Sequence, residues 1–339
     1  MADDKISSNV VCSNSDCRVA ETGKCIEGLD LTACSHYGHA PEEQPQVDAT
    51  VRALPASRST VLPGADTLTT VEVSQLLRAG KGSVIAIIGP TDAGKTSLIA
   101  SLYDLFQKGP VSGINFGRSL TLHAFEQTCH DARAASRRHA PHINRTPRGD
   151  VRFYHIDLGG GPAGDGLTLV LGDRAGEEYR SAADDVAIVE SFEEIRRADS
   201  LTVLVDGERF LNSGDRHNVR SEITMMLQAL VDGGAVQTGQ RLALVLTKVD
   251  VVQVSPNQVR AESDFCALLA SLRKLFGHVF SAIEPFRIAA SPKTEAVPRG
   301  TGVPELLDAW IKPTPAKRMK LPDRPVFSRA FARLTPADE

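Results

Sequence analysis

The segment from Ser83 to Phe106, SVIAIIGPTDAGKTSLIASLYDLF, constrains the fold more than any other. Val84, Ile85, Ala86, Ile87 and Ile88 form an unbroken apolar run, the pattern of a strand buried on both faces of a parallel sheet. The next eight residues, Gly89-Pro90-Thr91-Asp92-Ala93-Gly94-Lys95-Thr96, satisfy G-x-x-x-x-G-K-[S/T] at every fixed position. Behind them Leu98, Ile99, Leu102, Leu105 and Phe106 recur at helical spacing until Gly109-Pro110 stops the pattern. A strand, a glycine-rich turn and an amphipathic helix in that order form a loop whose backbone N–H groups turn inward around a polyphosphate. The positive end of the helix dipole adds to the attraction. Lys95 would reach the β and γ phosphates and the Thr96 hydroxyl would ligate Mg²⁺. Gly89, Asp92, Ala93, Gly94 and Ser97 complete the cradle.

The chain beyond the loop repeats one grammar. A short helix over Thr70 to Arg78 precedes it, with Val71, Val73, Leu76 and Leu77 on or near one side. A helix within Ser119 to His139 turns Leu120, Phe125 and Cys129 inward and Arg133, Arg137 and Arg138 outward. Val151 to Leu158 alternates as a half-exposed strand, Gly159 to Gly166 is a glycine-rich turn, and Leu167 to Gly172 is a second buried strand ending in Asp173-Arg174-Ala175-Gly176. Strands over Leu201 to Val205, Leu242 to Leu246 and Phe286 to Ile288 then alternate with helices over Val219 to Val231, Val259 to Phe276 and Val303 to Ile311. Such alternation implies an α/β fold, a mostly parallel sheet covered by helices on both faces, with ligands at the carboxyl ends of its strands. Every motif falls on those ends.

At the N-terminus stand four of the six cysteines, Cys12, Cys17, Cys25 and Cys34, spaced C-x4-C-x7-C-x8-C with His36 and His39 beyond. The segment is too short and polar to fold on apolar burial alone, so a staple is expected. In a reducing cytosol metal is favoured over disulfide: Zn²⁺ on the four thiolates first, His36 in place of one of them second, an iron–sulfur cluster third. A loose tail of unrelated thiols is the bland alternative. The expected organisation is a Cys-rich module over 1–39, a Pro/Ala/Ser linker over 40–67, a nucleotide domain over 68–313 with its core from 83, and a proline-rich tail over 314–339. A basic run, Lys317-Arg318-Met319-Lys320, lies within that tail.

The series GPTDAGKT, DRAG, TKVD and AAS, in that order and each after a strand, resembles the GTPase domain of the translation-factor and Ras-like class of P-loop proteins. More loosely, the cysteine cluster and DRAGEEYR resemble bacterial double-GTPase-type proteins of multi-gene conflict systems. The first resemblance implies a three-layer P-loop NTPase fold with one antiparallel strand, GTP and GDP as ligands and Mg²⁺ as cofactor. By position, Asp173 would hold Mg²⁺ through water and the Gly176 N–H would sense the γ phosphate. Thr247 and Lys248 would buttress the phosphate loop and flank the base, Asp250 would accept from guanine N1 and N2, and the Ala290 N–H would donate to O6. A carboxylate at 250 favours guanine on physical grounds too, since adenine lacks that donor pair and would leave it desolvated and unpaired.

The family's second Mg²⁺-ligating threonine should precede the antiparallel strand. Thr146 fits by distance, with Thr121 and Thr128 as rivals. Where the family carries a water-orienting glutamine this chain has Glu177, whose charge sits beside an anionic phosphoryl group and implies slow hydrolysis. Arg145 or Arg174 could supply positive charge in cis, against a solvent-exposed alternative for each. Asp92 leaves room for a monovalent cation near the phosphates.

A formal net charge of -4 argues for neither a nucleic-acid nor a membrane surface, and no run approaches the roughly 18 apolar residues of a membrane span. The expectation is a cytoplasmic GTP-binding switch that hydrolyses GTP with Mg²⁺ and engages a protein effector or operon partner. The rivals are a non-hydrolysing sensor whose metal module is the working surface, and an ATPase.

Overall fold

The computed structural model describes residues 12–14, 17–26, 28–39, 65–137, 149, 151–160, 166–293 and 296–312, with the side chains of 131–137 excepted. The expected tail, nearly all of the linker, Arg138, Arg145, Thr146 and most of the turn after Leu158 lie outside the described residues. The chain divides into two compact units, Met1–Val61 and Leu62–Glu339.

In the first unit, α1 (Val19–Thr22) closes on Gly23, whose φ of 65° suits glycine and whose N–H donates to the Val19 carbonyl. A 3-10 turn spans Leu31–Ala33, and Cys12 bridges Tyr37 in antiparallel fashion.

The second unit opens with α2 (Thr70–Ala79), started by a capping box in which the Thr69 N–H donates to the Glu72 carboxylate at 2.8 Å and the Thr69 hydroxyl accepts from the Glu72 N–H. There follow β1 (Gly82–Ile88), α3 (Lys95–Lys108), β2 (Asn115–Arg118), α4 (Leu122–Arg137), β3 (Arg152–Gly159), β4 (Leu167–Asp173), α5 (Gly176–Asp184) and α6 (Glu193–Arg197). The chain continues through β5 (Ser200–Asp206), α7 (Gly207–Leu211), α8 (Arg216–Asp232), β6 (Arg241–Thr247), α9 (Val249–Gln253), α10 (Gln258–Phe276), β7 (Ala282–Arg287) and α11 (Val303–Ile311).

The seven strands lie in the order β2-β3-β4-β1-β5-β6-β7. β3 runs antiparallel to both of its neighbours and every other pairing is parallel, which is the expected architecture of one reversed strand in a parallel sheet. Successive side chains of a strand point to opposite faces. Ala86 and Ile88 of β1 therefore enter a core shared with α5, α8 and α10, while Ile85 and Ile87 enter another shared with α3, α4 and α11. Burying each branched side chain of that run contributes about 1.5–3 kcal/mol, so β1 anchors both layers.

β1 sits between β4 and β5, so the crossovers leave it in opposite directions and a crevice opens beyond its carboxyl end. Ile87 pairs with Asp173, and Asp206 pairs with Thr247, which sets the ends of four adjacent strands along that crevice.

Local differences from the sequence pattern have physical causes. β3 is buried over most of its length rather than alternating. Leu68 and Val73 cover Phe153 on one face, while Tyr154, Ile156 and Leu158 pack into the α3/α4 layer on the other. Val71 points to solvent at 67% exposure, leaving Val73 with Leu76 and Leu77 as the inward stripe of α2. β2 is a short edge strand with little apolar content and no readable period. β7 begins at Ala282, ahead of its apolar run, because Ala282, Ile283 and Glu284 pair with β6, and Pro285 within it is tolerated on an edge strand.

Candidate functional site

The phosphate loop leaves β1 at Gly89, where an added Cβ would stand 3.1 Å from Leu204 Cβ and 3.2 Å from the Leu204 carbonyl oxygen. A side chain there would force the turn or β5 to give by a few tenths of an ångström. Asp92 and Gly94 take left-handed backbone, with φ of 63° and 97°, and α3 starts at Lys95 immediately afterwards. The free N–H groups of its first turn, with the helix dipole, face the concavity.

Lys95 folds back over the loop. Its Nζ donates to the carbonyls of Gly89 at 3.0 Å and Pro90 at 3.1 Å, and the residue is 7% exposed. Burial lowers its pKa, opposed by the charges of Asp173 and Asp92. The Thr96 hydroxyl donates to Asp173 Oδ2 at 3.4 Å, joining the start of α3 to the end of β4. Gly176 packs onto the same loop so closely that a Cβ would lie 2.6 Å from the Thr91 nitrogen and 2.7 Å from Lys95 Nζ. Lys95, Thr96, Asp173 and Gly176, predicted from motifs far apart in sequence, thus converge on one point. Thr96 and Asp173 form a hard oxygen pair beside the lysine, the donor chemistry that suits Mg²⁺.

The other end of the crevice is built by the loops after β6 and β7. Thr247 is buried and its hydroxyl donates to the Val205 carbonyl at 3.2 Å, so it braces β5 rather than the phosphate loop. Lys248 adopts left-handed backbone at φ 54°, and its Nζ donates to Asp206 Oδ2 at 2.7 Å and Glu208 Oε2 at 3.2 Å. Asp250 is 2% exposed and its Oδ2 accepts the Lys293 N–H at 2.8 Å. Ala290 is buried, in a loop tied down by the Ala289 N–H to the Thr301 carbonyl and the Val249 N–H to the Ile288 carbonyl. Between Asp173 on β4 and Asp250 after β6 lie three strand spacings, about 14 Å in all, the scale of an extended nucleotide.

Some predicted residues stand apart from this geometry. Arg174 is no free cation: it is 3% exposed, with Nε on Glu194 Oε1 at 2.8 Å, Nη1 on Glu178 Oε2 at 2.6 Å and its guanidinium 4.9 Å from the centre of the Phe192 ring. Burial alone would lower its pKa, but the two carboxylates raise it. Thr121 and Thr128 are spent on structure. The former accepts the His155 N–H at 3.0 Å, and the latter donates to the Ala124 carbonyl at 2.8 Å. Glu177 lies in the first turn of α5, directly after Gly176. Sequence reasoning missed Asp206, Glu208 and Lys293. The signal was an acid-Gly-acid triplet at the carboxyl end of β5.

Cys12, Cys17, Cys25 and Cys34 are half-buried free thiols. The Cys17 thiol is held below the usual thiol range, by the Ile26 backbone N–H foremost and then by Val19, Cys12 and Cys25. His36 Nδ1 hydrogen-bonds with Ser13 Oγ at 3.1 Å. Among the described residues, no group of three or more His, Cys, Asp or Glu side chains is arranged to hold a metal ion. Among them, too, no helix is long and apolar enough to cross a membrane.

The parallel sheet with its phosphate loop at the carboxyl end of β1 defines a P-loop α/β fold. Residues 83–311 match the Double-GTPase 2 family, and the chain belongs to it. Binding of GTP and GDP follows from that membership. Among solved structures, the chain is similar to the signal recognition particle receptor SRb-GTP/SRX complex from Chaetomium thermophilum, at 12% identity over 64% of this chain and 93% of that one, with a TM-score of 0.37. It is also similar to the GTP-bound GTPase-like domain of S. cerevisiae Ski7, at 12% identity over 72% of this chain and 53% of that one, with a TM-score of 0.40. Among curated proteins none matches the chain.

Proposed function

We propose that this protein is a cytoplasmic GTP-driven switch that hydrolyses GTP to GDP and phosphate with Mg²⁺, slowly, under the control of a protein effector or operon partner. The observation that carries this reading is the meeting of Lys95, Thr96, Asp173 and Gly176 at one end of a crevice whose other end holds Lys248, Asp250 and Ala290. Lys95 neutralises the β and γ phosphates, Thr96 and Asp173 hold Mg²⁺, the Gly176 N–H faces the γ phosphate, and Asp250 reads the guanine edge. Mg²⁺ would supply charge neutralisation along the phosphate chain.

The slow rate follows from charge. Glu177 adds a negative group where the attacking water must be oriented, and Arg174, committed to Glu194 and Glu178, cannot offset it. A compensating cation then comes from Arg145 or from a partner, with Thr146 as the second Mg²⁺ ligand. The test is single-turnover release of γ phosphate from bound GTP, with and without Mg²⁺ and with cell extract. GTP binding with no release under any condition leaves a nucleotide-sensing adaptor, and equal affinity for ATP removes the role of Asp250.

To the N-terminal unit we assign Zn²⁺ on Cys12, Cys17, Cys25 and Cys34. The support is the spacing of four half-buried free thiols and the lowered pKa of Cys17, to which the Ile26 N–H, Cys12 and Cys25 contribute, since a thiolate is the zinc ligand. Tetrahedral ligation requires the cluster to close further and recruit Cys34. Elemental analysis of the purified protein separates zinc from iron, and a protein without either ends the assignment.

A further inference from the structure

The geometry points to Glu208 as a positioning residue that ties the two walls of the purine pocket together and thereby fixes the guanine-reading carboxylate of Asp250. The inference rests on the assignment of Asp250 to guanine made above.

Three elements meet at this carboxylate. Glu208 projects from the first turn of α7, which is started by Asp206 Oδ1 accepting the Glu208 N–H at 3.0 Å. Its Oε2 accepts from Lys248 Nζ at 3.2 Å, on the loop after β6. Both of its oxygens accept from Lys293 Nζ, at 2.8 and 3.0 Å, on the loop after β7. The backbone N–H of that same Lys293 is what holds Asp250 Oδ2, at 2.8 Å. One acid on α7 therefore spans the pocket by two lysines, and the second lysine carries the hydrogen bond that sets the rotation of the base-reading carboxylate.

The division of labour between the acids is legible in their burial. Asp206 has a side chain only 4% exposed and grips Lys248 at 2.7 Å regardless of what the outer loop does. Glu208, at 42%, reaches outward to Lys293, whose side chain is 61% exposed. The two ammonium groups hold the Glu208 carboxyl below the usual carboxylate range, Lys293 foremost. An exposed ion pair adds little to stability because solvent screens it. Its effect here is on position: a carboxylate that must accept from both N1–H and N2–H of guanine needs both oxygens in the base plane, and a loop held at one point keeps them there.

The experiment uses the full chain and fluorescent derivatives of GDP and of IDP, whose base lacks the 2-amino group. With a fixed Asp250 the wild type discriminates between them. E208Q removes the charge that holds Lys293 and is expected to speed GDP dissociation about five- to tenfold, the range of one or two weak ion pairs. IDP dissociation should change less, so discrimination narrows. K293A should behave as E208Q does, the double variant should be no worse than either, and K293R should stay near wild type. Equal acceleration for GDP and IDP, additive effects in the double variant, or an unchanged E208Q overturns the inference. A wild type that binds neither nucleotide overturns the functional assignment itself.

Discussion

Arg174 and Glu194 meet through two hydrogen bonds, 2.8 Å at Nε and 3.1 Å at Nη2, with the arginine side chain 4% exposed and the glutamate side chain fully buried. The same glutamate accepts the Tyr179 hydroxyl at 3.1 Å. Glu178, the second partner of Arg174, also accepts the Gly149 N–H at 2.6 Å. The guanidinium that follows Asp173 is thus a structural rivet between the end of β4, α5 and α6, and it passes through Glu178 to the chain just ahead of β3.

Removing one partner of a buried pair strands the other charge, which costs about 3–5 kcal/mol. R174A is therefore expected to lower the urea midpoint by an equivalent amount. R174K should recover little, because an ammonium cannot satisfy Glu194 by two parallel N–H groups and reach Glu178 as well. Denaturation curves of the wild type and both variants check this. A midpoint unmoved by R174A would mean the network contributes no stability.

Gly176 tests the phosphate end. A methyl group at this position would overlap the Thr91 nitrogen and Lys95 Nζ, so G176A must push α5 away from the loop. GDP, which carries no γ phosphate, should bind within about threefold of wild type. A non-hydrolysable GTP analogue should lose about tenfold or more, the value of one charge-assisted hydrogen bond. Titration calorimetry with both nucleotides distinguishes this from general loss of the site.

Much of this site was legible because each motif sits at the end of an apolar strand, and strand ends in a parallel sheet are brought together by pairing alone. Ile88 and Leu171 are buried by the pattern that identifies them as strand residues, and Gly89 and Asp173 then have one place to go. What was not legible depended on side-chain partners distant in sequence. Nothing in DRAG shows that Arg174 will be claimed by Glu194, 20 residues on. The buried second face of β3 was hidden for the same reason: α2, which covers it, precedes β1 in the chain. β2, α7 and α9 are too short for hydrophobic period to register, and their positions follow from pairing and capping instead.

Asp250 tests the base end. An aspartate accepts from the N1–H and 2-amino groups of guanine, whereas an asparagine amide also presents a donor. Xanthine has a carbonyl at C2 that can meet that donor. D250N should therefore lose about a hundredfold or more in GDP affinity and gain affinity for XDP, because a mismatched buried polar pair leaves both members unsatisfied. Competition between the two nucleotides on the variant is the measurement. Loss of GDP binding with no gain for XDP would place the guanine contact elsewhere.

His155 gives the fold a dependence on pH that is separate from the nucleotide. The side chain is fully buried, with Nδ1 accepting the Leu120 N–H at 3.0 Å and Nε2 facing Asp157 Oδ1 at 3.1 Å. An imidazole that accepts at one nitrogen and donates at the other is neutral, and protonation would oppose the Leu120 N–H. Burial lowers its pKa, and the nearby charge of Asp157 only partly opposes this. The unfolded chain takes up the proton near the ordinary value of about 6.5, whereas the folded chain resists it to lower pH. The stability due to His155 is therefore complete above that value. It is lost as pH falls from it toward the folded-state pKa, by up to about 1.4 kcal/mol per pH unit from this group. Urea midpoints at pH 7.5, 6.5 and 5.5 should fall in that order for the wild type. H155Q, which cannot titrate, should start lower at pH 7.5 but fall less steeply, and parallel slopes for the two proteins would assign the acid sensitivity to other groups.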